Sequence, residues 1–156
     1  MSIDHETPAH DYNTDSKEAG WDSPERVQKL VESRVTAGSK VLDIGIGTGL
    51  AVSGYADKGA AVIGLDHDQA MLDSAHKVVG ENGSLRLADI NGQLPIGDLE
   101  GAVDVAQAVG VLEFAKDCRV YSVKSTVASK KTACLRLLQN SLTVHVPLNR
   151  KPTTLT

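Results

Sequence analysis

Residues 40–50, Lys-Val-Leu-Asp-Ile-Gly-Ile-Gly-Thr-Gly-Leu, constrain the fold more than any other stretch, because a short apolar run passes into alternating glycines and then into a helical pattern. Val41, Leu42 and Ile44 favour a buried strand, uncharged on either face except for Asp43 at its carboxyl end. Gly45, Gly47 and Gly49 remove side chains where the backbone must turn sharply, so a ligand could lie directly against main-chain N–H groups. Strand, tight turn and helix in this order place the turn in the crevice of an open α/β sheet, outside the carboxyl ends of its strands.

Glycine spacing separates the ligand classes such a turn can serve. A dinucleotide fingerprint needs G-x-G-x-x-G, its last glycine letting helix and strand pack closely. Leu50 occupies that position here, and the spacing is G-x-G-x-G. Asp43, two residues before the first glycine, would repel a pyrophosphate and attract an ammonium or sulfonium. The stretch 41–49 resembles the first motif of class I S-adenosylmethionine-dependent methyltransferases. The resemblance implies a Rossmann-like α/β fold: a doubly wound, mostly parallel sheet with helices on both faces. It also implies S-adenosyl-L-methionine as cofactor, with Asp43, Gly45, Gly47 and Gly49 holding its methionine end.

The run 60–65 reads as a second buried strand ending at Asp66, one β-α-β step beyond the glycines, so Asp66 is expected at the same sheet edge. A carboxylate there can accept from both ribose hydroxyls. Nicotinamide-binding folds place an acid there too, so Asp66 supports an adenosine-containing ligand without choosing between families. His67 reads either as a lining of the ribose site or as a solvent-facing loop histidine. Residues 84–89 alternate as a third strand and again end in an acid. The resemblance implies that Asp89 accepts from the adenine amine while the backbone at Ile90 meets the ring. Met71 falls where the family often has an apolar residue against adenine, although core packing explains it equally well. Gln107, Val109 and Gly110, at the end of a fourth strand over 103–109, are expected to line the pocket. Beyond them Val111-Leu112-Glu113-Phe114 resembles a family V-L-E-H segment, with Phe114 in place of the histidine, and no catalytic residue is assigned.

Residues 1–20 show no periodic apolar face and are expected to be a flexible N-terminal segment. Asp11-Tyr12-Asn13 resembles a family segment whose tyrosine packs over the cofactor; the residues alone read as a tail tyrosine. Trp21 is expected to anchor this segment to the sheet edge. Ser23 reads as the cap of a helix running to about residue 36, with Pro24 in its first turn and Val27, Leu30, Val31 and Val35 on its buried stripe. A short helix is expected over 50–58, and another over 69–79, capped by Asp68.

Apolar content of 41% with 23% charged residues is that of a globular domain, and no apolar run approaches the roughly 18 residues of a spanning helix. A cytoplasmic location is the default, with no membrane partner. Cys118 and Cys134 lack ligand-like spacing, so neither a metal site nor a disulfide framework is expected. Charge is split sharply along the chain. All 20 acidic residues lie at or before Asp117, whereas residues 118–156 carry 7 basic residues, no acid and no glycine. That shift divides the chain into 1–20, a cofactor-binding domain over 21–117, and an atypical basic tail over 118–156.

The tail does not match the family. It reads as a divergent remainder supplying a fifth strand near 141–148, as the product of a reading-frame change near codon 118, or as a basic arm toward nucleic acid, though it carries no recognised module. A short helix over 135–138 is compatible with its pattern. The sheet is thus expected to be incomplete in its C-terminal half, leaving the fourth strand as an edge open to dimerisation. The function implied is methyl transfer to a small molecule. The alternatives are a non-catalytic fragment that binds adenosyl ligands and, disfavoured by Leu50 and Asp43, a nicotinamide-dependent oxidoreductase.

Overall fold

The computed structural model describes residues 9–99, 102–116 and 142–146. The strands β1 (Lys40–Ile44), β2 (Ala61–Asp66), β3 (Ser84–Leu87), β4 (Val105–Val109) and β5 (Leu142–Val146) form one sheet in the order β3-β2-β1-β4-β5. Every pairing is parallel. The chain steps outward from β1 through β2 to β3, then returns to lay β4 on the other side of β1. That reversal opens a crevice at the carboxyl ends of β1 and β4, where a doubly wound sheet binds its ligands.

Register explains the sorting of the core. Val41 lies opposite Val62 and Val105, and Leu42 opposite Ile63 and Ala106, so successive residues feed opposite faces. One face packs Val41, Val62 and Val105 against Val31, Val35, Val52, Tyr55 and the Leu72, Ala75 and Val79 stripe of α3 (Gln69–Val79). The other packs Leu42, Ile44, Ile63, Leu65, Ala106 and Ala108 against Leu94, Leu99, Val103 and Leu112. Among the described residues, helices cover the first face, and Leu94, Leu99, Val103 and Leu112 from the segments flanking β4 cover the second. Each fully buried aliphatic contributes about 1.5–3 kcal/mol by leaving water, so these central strands are the most strongly held part of the molecule.

Several local expectations are corrected. Residues 9–18 are helical (α1, Ala9–Glu18) rather than flexible. The next helix, α2 (Ser23–Val31), starts at Ser23 itself, with Asp22 in the cap position making no side-chain cap bond. It stops well before residue 36, and in the turns beyond it the Ser39 hydroxyl donates to the Arg34 carbonyl at 2.9 Å and accepts from the Thr36 N–H at 3.0 Å. Val35 is nevertheless buried. The helix expected over 50–58 is a single 3₁₀ turn, Leu50–Val52, followed by irregular turns. Gly54 adopts φ 80°, a left-handed conformation that a helix cannot continue through. Tyr55 is thereby buried, its hydroxyl donating to Gln107 Oε1 at 3.3 Å. By contrast α3 spans the expected residues, with Asp68 accepting from the Ala70 N–H at 2.8 Å.

The outer side of β4 is not an open edge. β5 pairs along it from Val105–Leu142 to Val109–Val146, so the dimerisation route expected through β4 is closed by the chain's own tail. The readings of residues 1–8, of Cys118 and Cys134, and of a helix over 135–138 lie outside the described residues.

Candidate functional site

The glycine turn is fixed to the end of β2. The N–H groups of Gly45 and Ile46 donate to the Leu65 carbonyl at 2.8 and 2.9 Å, Gly47 N–H to Asp66 Oδ2 at 2.8 Å, and Gly49 N–H to the Ile46 carbonyl at 3.0 Å. The turn therefore spends these donors on the protein itself, and what it offers a ligand is bare space. Its glycines differ in purpose. A Cβ on Gly45 would come within 2.5 Å of Val111, and one on Gly49 within 3.1 Å of Val78, whereas one on Gly47 would meet nothing within 4 Å. Gly45 and Gly49 permit close packing, and Gly47 leaves the crevice open.

A cavity of about 370 Å³ opens above the turn. Of the residues singled out in the sequence, Tyr12, Gly45, Gly47, Asp66, His67, Met71, Asp89, Ile90 and Val109 line it. Gly110 and Phe114 do so too, together with Asp68, Asn91 and Val111. Asp68 was legible only as a helix cap. Val111 opens the segment that resembles the family V-L-E-H motif, whereas Asn91 carries no sequence signal, since its place depends on how two distant loops meet.

Asp66 is almost fully buried, and both its oxygens are engaged: Oδ2 with Gly47, Oδ1 with the Asp68 N–H at 3.0 Å. His67 Nδ1 lies 3.3 Å from Oδ1 while the ring projects into solvent. An ionised carboxylate has about four acceptor positions, so Asp66 keeps room for ligand hydroxyls while holding the turn. Asp89 is exposed just beyond β3, with Oδ1 accepting from the Asn91 N–H at 2.7 Å. Met71 and Ile90 add partly buried apolar surface between the two acids.

Asp43, Gly49 and Gln107 do not line the cavity. Asp43 lies one layer beneath it, between Gly64 on β2 and Gln107 on β4, and is 1% exposed. Among the described residues, neither carboxyl oxygen has a hydrogen-bond partner. Burial pushes its pKa up to about 8; the neighbouring Gln107 amide opposes this, and the Asp66 charge adds to it. Gln107 is committed to the interior, its amide nitrogen donating to the Ala51 carbonyl at 3.3 Å while its oxygen accepts from Tyr55. It supports the floor of the crevice rather than its wall.

Tyr12 enters the cavity from α1. Its ring stacks edge-on against Trp21 at 6.3 Å between centroids, and Trp21 packs in turn on Val27, Ala51 and Val109. Asn13 Oδ1 accepts from the Thr48 hydroxyl, tying α1 to the glycine turn. Among the described residues, no cluster of His, Cys, Asp or Glu could hold a metal ion, and no helix is long and apolar enough to cross a membrane.

This architecture and cavity are those of a Rossmann-like domain, the fold of the class I S-adenosyl-L-methionine-dependent methyltransferases. A protein of Methanococcus maripaludis assigned to that activity shares the fold at 18% identity and a TM-score of 0.57, over 77% of this chain and 58% of its own. A TehB-like S-adenosyl-L-methionine-dependent methyltransferase of Corynebacterium glutamicum does so at 23% identity and a TM-score of 0.51, over 69% and 59%. A protein of Galdieria sulphuraria assigned as a sarcosine dimethylglycine methyltransferase does so at 15% and 0.58, over 78% and 44%. The chain thus spans between 44% and 59% of the length of these structures. No curated protein matches it in sequence. The methyltransferase domain family matches residues 42–124, more than half of the chain, and the chain belongs to that family. S-adenosyl-L-methionine is the cofactor of this class.

Proposed function

We propose that this chain binds S-adenosyl-L-methionine in the crevice at the ends of β1, β2 and β3 and transfers its methyl group to a small-molecule acceptor in a cytoplasmic setting. The observation that carries the reading is the convergence of Gly45 and Gly47, Asp66 with His67, and Asp89 with Ile90 on one cavity. The residues fit such a ligand chemically. Asp66 and Asp89 are acceptors for ribose hydroxyls and an adenine amine, and Met71 and Ile90 suit the faces of an aromatic base. Beneath the turn, the unpartnered carboxyl of Asp43 gives the methionine end a group that gains from a nearby cation.

When bound, the cofactor supplies a methyl group already activated by its sulfonium sulfur. The protein's share is placement. Asp66 and the turn hold one end of the ligand, Tyr12 from α1 shields it from water, and Val109, Val111 and Phe114 form an apolar wall on which an acceptor can be held in line. No general base is assigned, which suits an acceptor that brings its own lone pair.

A second reading, binding without transfer, is favoured by one observation: the chain spans little more than half the length of the methyltransferases it resembles. Parallel calorimetric titrations with S-adenosylhomocysteine and NAD test both. One-to-one binding of the first and none of the second is expected, and transfer from labelled cofactor to a panel of thiols, amines and phenols then separates enzyme from binding unit. Binding of NAD in preference would overturn the proposal.

A further inference from the structure

One cavity-lining side chain takes part in no cofactor contact assigned above, yet joins the two walls of the crevice. Asn91 sits just past the β3 end, where its own N–H donates to Asp89 Oδ1 at 2.7 Å. Its side chain reaches to the segment after β4: Nδ2 donates to the Phe114 carbonyl at 3.2 Å, and Oδ1 accepts from the Lys116 N–H at 2.7 Å. Both ends of one amide are thus spent on a loop more than twenty residues away in sequence, and that loop carries Phe114 into the cavity. A primary amide offers a donor and an acceptor on two separate atoms in this way; an ionised carboxylate keeps only the acceptor half of the clamp.

We propose that Asn91 is a positioning residue that couples occupancy of the nucleoside seat to the loop 112–116, setting Phe114 against the cavity when Asp89 is held by a ligand. The inference rests on the adenosyl-binding reading of the cavity. Asp89 is exposed and held on the protein side through Oδ1, so a ligand amine taken up by its other oxygen immobilises the carboxyl. The Asn91 backbone is fixed with it, and the amide that grips Phe114 and Lys116 is fixed in turn. The ligand thereby lowers the freedom of the Asn91 backbone, so the clamp already made to Phe114 and Lys116 opens less often. The consequence is an order of events: the acceptor wall becomes rigid after the cofactor is seated.

The test is hydrogen exchange across residues 112–116 of the full chain, free and saturated with S-adenosylhomocysteine, beside calorimetric affinity. In the unsubstituted protein the ligand slows exchange of this segment about tenfold. In Asn91→Ala that slowing disappears while the ligand still binds, about threefold more weakly. Asn91→Asp keeps an acceptor for the Lys116 N–H and restores part of the slowing. Lys116→Pro removes the same bond from the opposite side. Ala115 already has φ -73° and ψ 120°, the conformation a following proline demands, so the residue before the substitution is not strained, and the variant should lose the slowing at Phe114 and Ala115. It decides the matter if Asn91→Ala fails to fold. Slowing undiminished in either variant overturns the inference. Failure of the unsubstituted protein to bind S-adenosylhomocysteine instead overturns the functional reading, and this inference with it.

Discussion

The two walls of the crevice are built on different principles. The wall at the ends of β1, β2 and β3 is polar and local: Gly45, Gly47, Asp66 and Asp89 sit at strand ends, and the turn is bonded to Leu65 and Asp66 of the neighbouring strand. The wall at the end of β4 is apolar, made of Val109, Val111 and Phe114, and is held by distant partners such as Asn91. On the proposed reading the first wall is a fixed seat for a nucleoside; the second takes its shape from contacts made across the cavity.

The sharpest way to break this comparison is at Gly45, where the walls touch. Gly45→Ala puts a Cβ within 2.5 Å of Val111 at φ 73°, and it should destabilise the protein by about 3 kcal/mol in urea unfolding. Gly47→Ala has the same handedness but open space and should cost only about 1 kcal/mol. Equal costs would mean that the turn is not wedged against Val111. Next in size is Asp66→Ala, which removes a ligand acceptor and leaves the Gly47 and Asp68 N–H groups without their partner. Affinity for S-adenosylhomocysteine should fall about 100-fold by calorimetry, against about tenfold for the exposed Asp89→Ala.

Asp43 sharpens the contrast through pH. Its pKa is raised in the fold from the ordinary carboxylate value to about 8, so across that interval the unfolded chain has released a proton the folded chain keeps. The Asp43 contribution to stability therefore declines as pH rises from about 4 to about 8 and is constant outside that window. Thermal unfolding of the free protein should show this decline relative to Asp43→Asn, in which it is absent. The smallest effect is expected at the floor: Tyr55→Phe deprives Gln107 Oε1 of its donor and should cost about 1 kcal/mol without altering ligand affinity. A large affinity loss there would make the floor part of the seat.

These walls also differ in how far they could be read from sequence. The strand–turn–strand path 40–66, the capped helix from Gln69 and the acids at strand ends are local patterns, and the fold places them as their periodicities imply. What sequence missed depends on long-range geometry. Ser53 and Gly54 take the chain out of the helix that apolar spacing alone favoured over 50–58, and the turns after α2 hold Arg34 and Thr36 to Ser39 instead of continuing the helix. Asp43 lies beneath the turn rather than on the cavity wall, opposite Gly64 and Gln107, a depth that the sequence pattern does not show. The glycines' N–H groups, expected to face a ligand, are taken by Leu65, Asp66 and Ile46. Asn91 could not be picked out at all, because its meaning lies in a loop that only folding brings near.

The most direct measurement is nitrogen-resolved amide NMR of the full chain during titration with S-adenosylhomocysteine. The account predicts that the amides of Gly47, His67 and Ile90 shift together along one saturating isotherm, while that of Lys29 on the outer surface of α2 stays still. Shifts that leave those three amides unmoved, or that gather elsewhere on the protein, would contradict it.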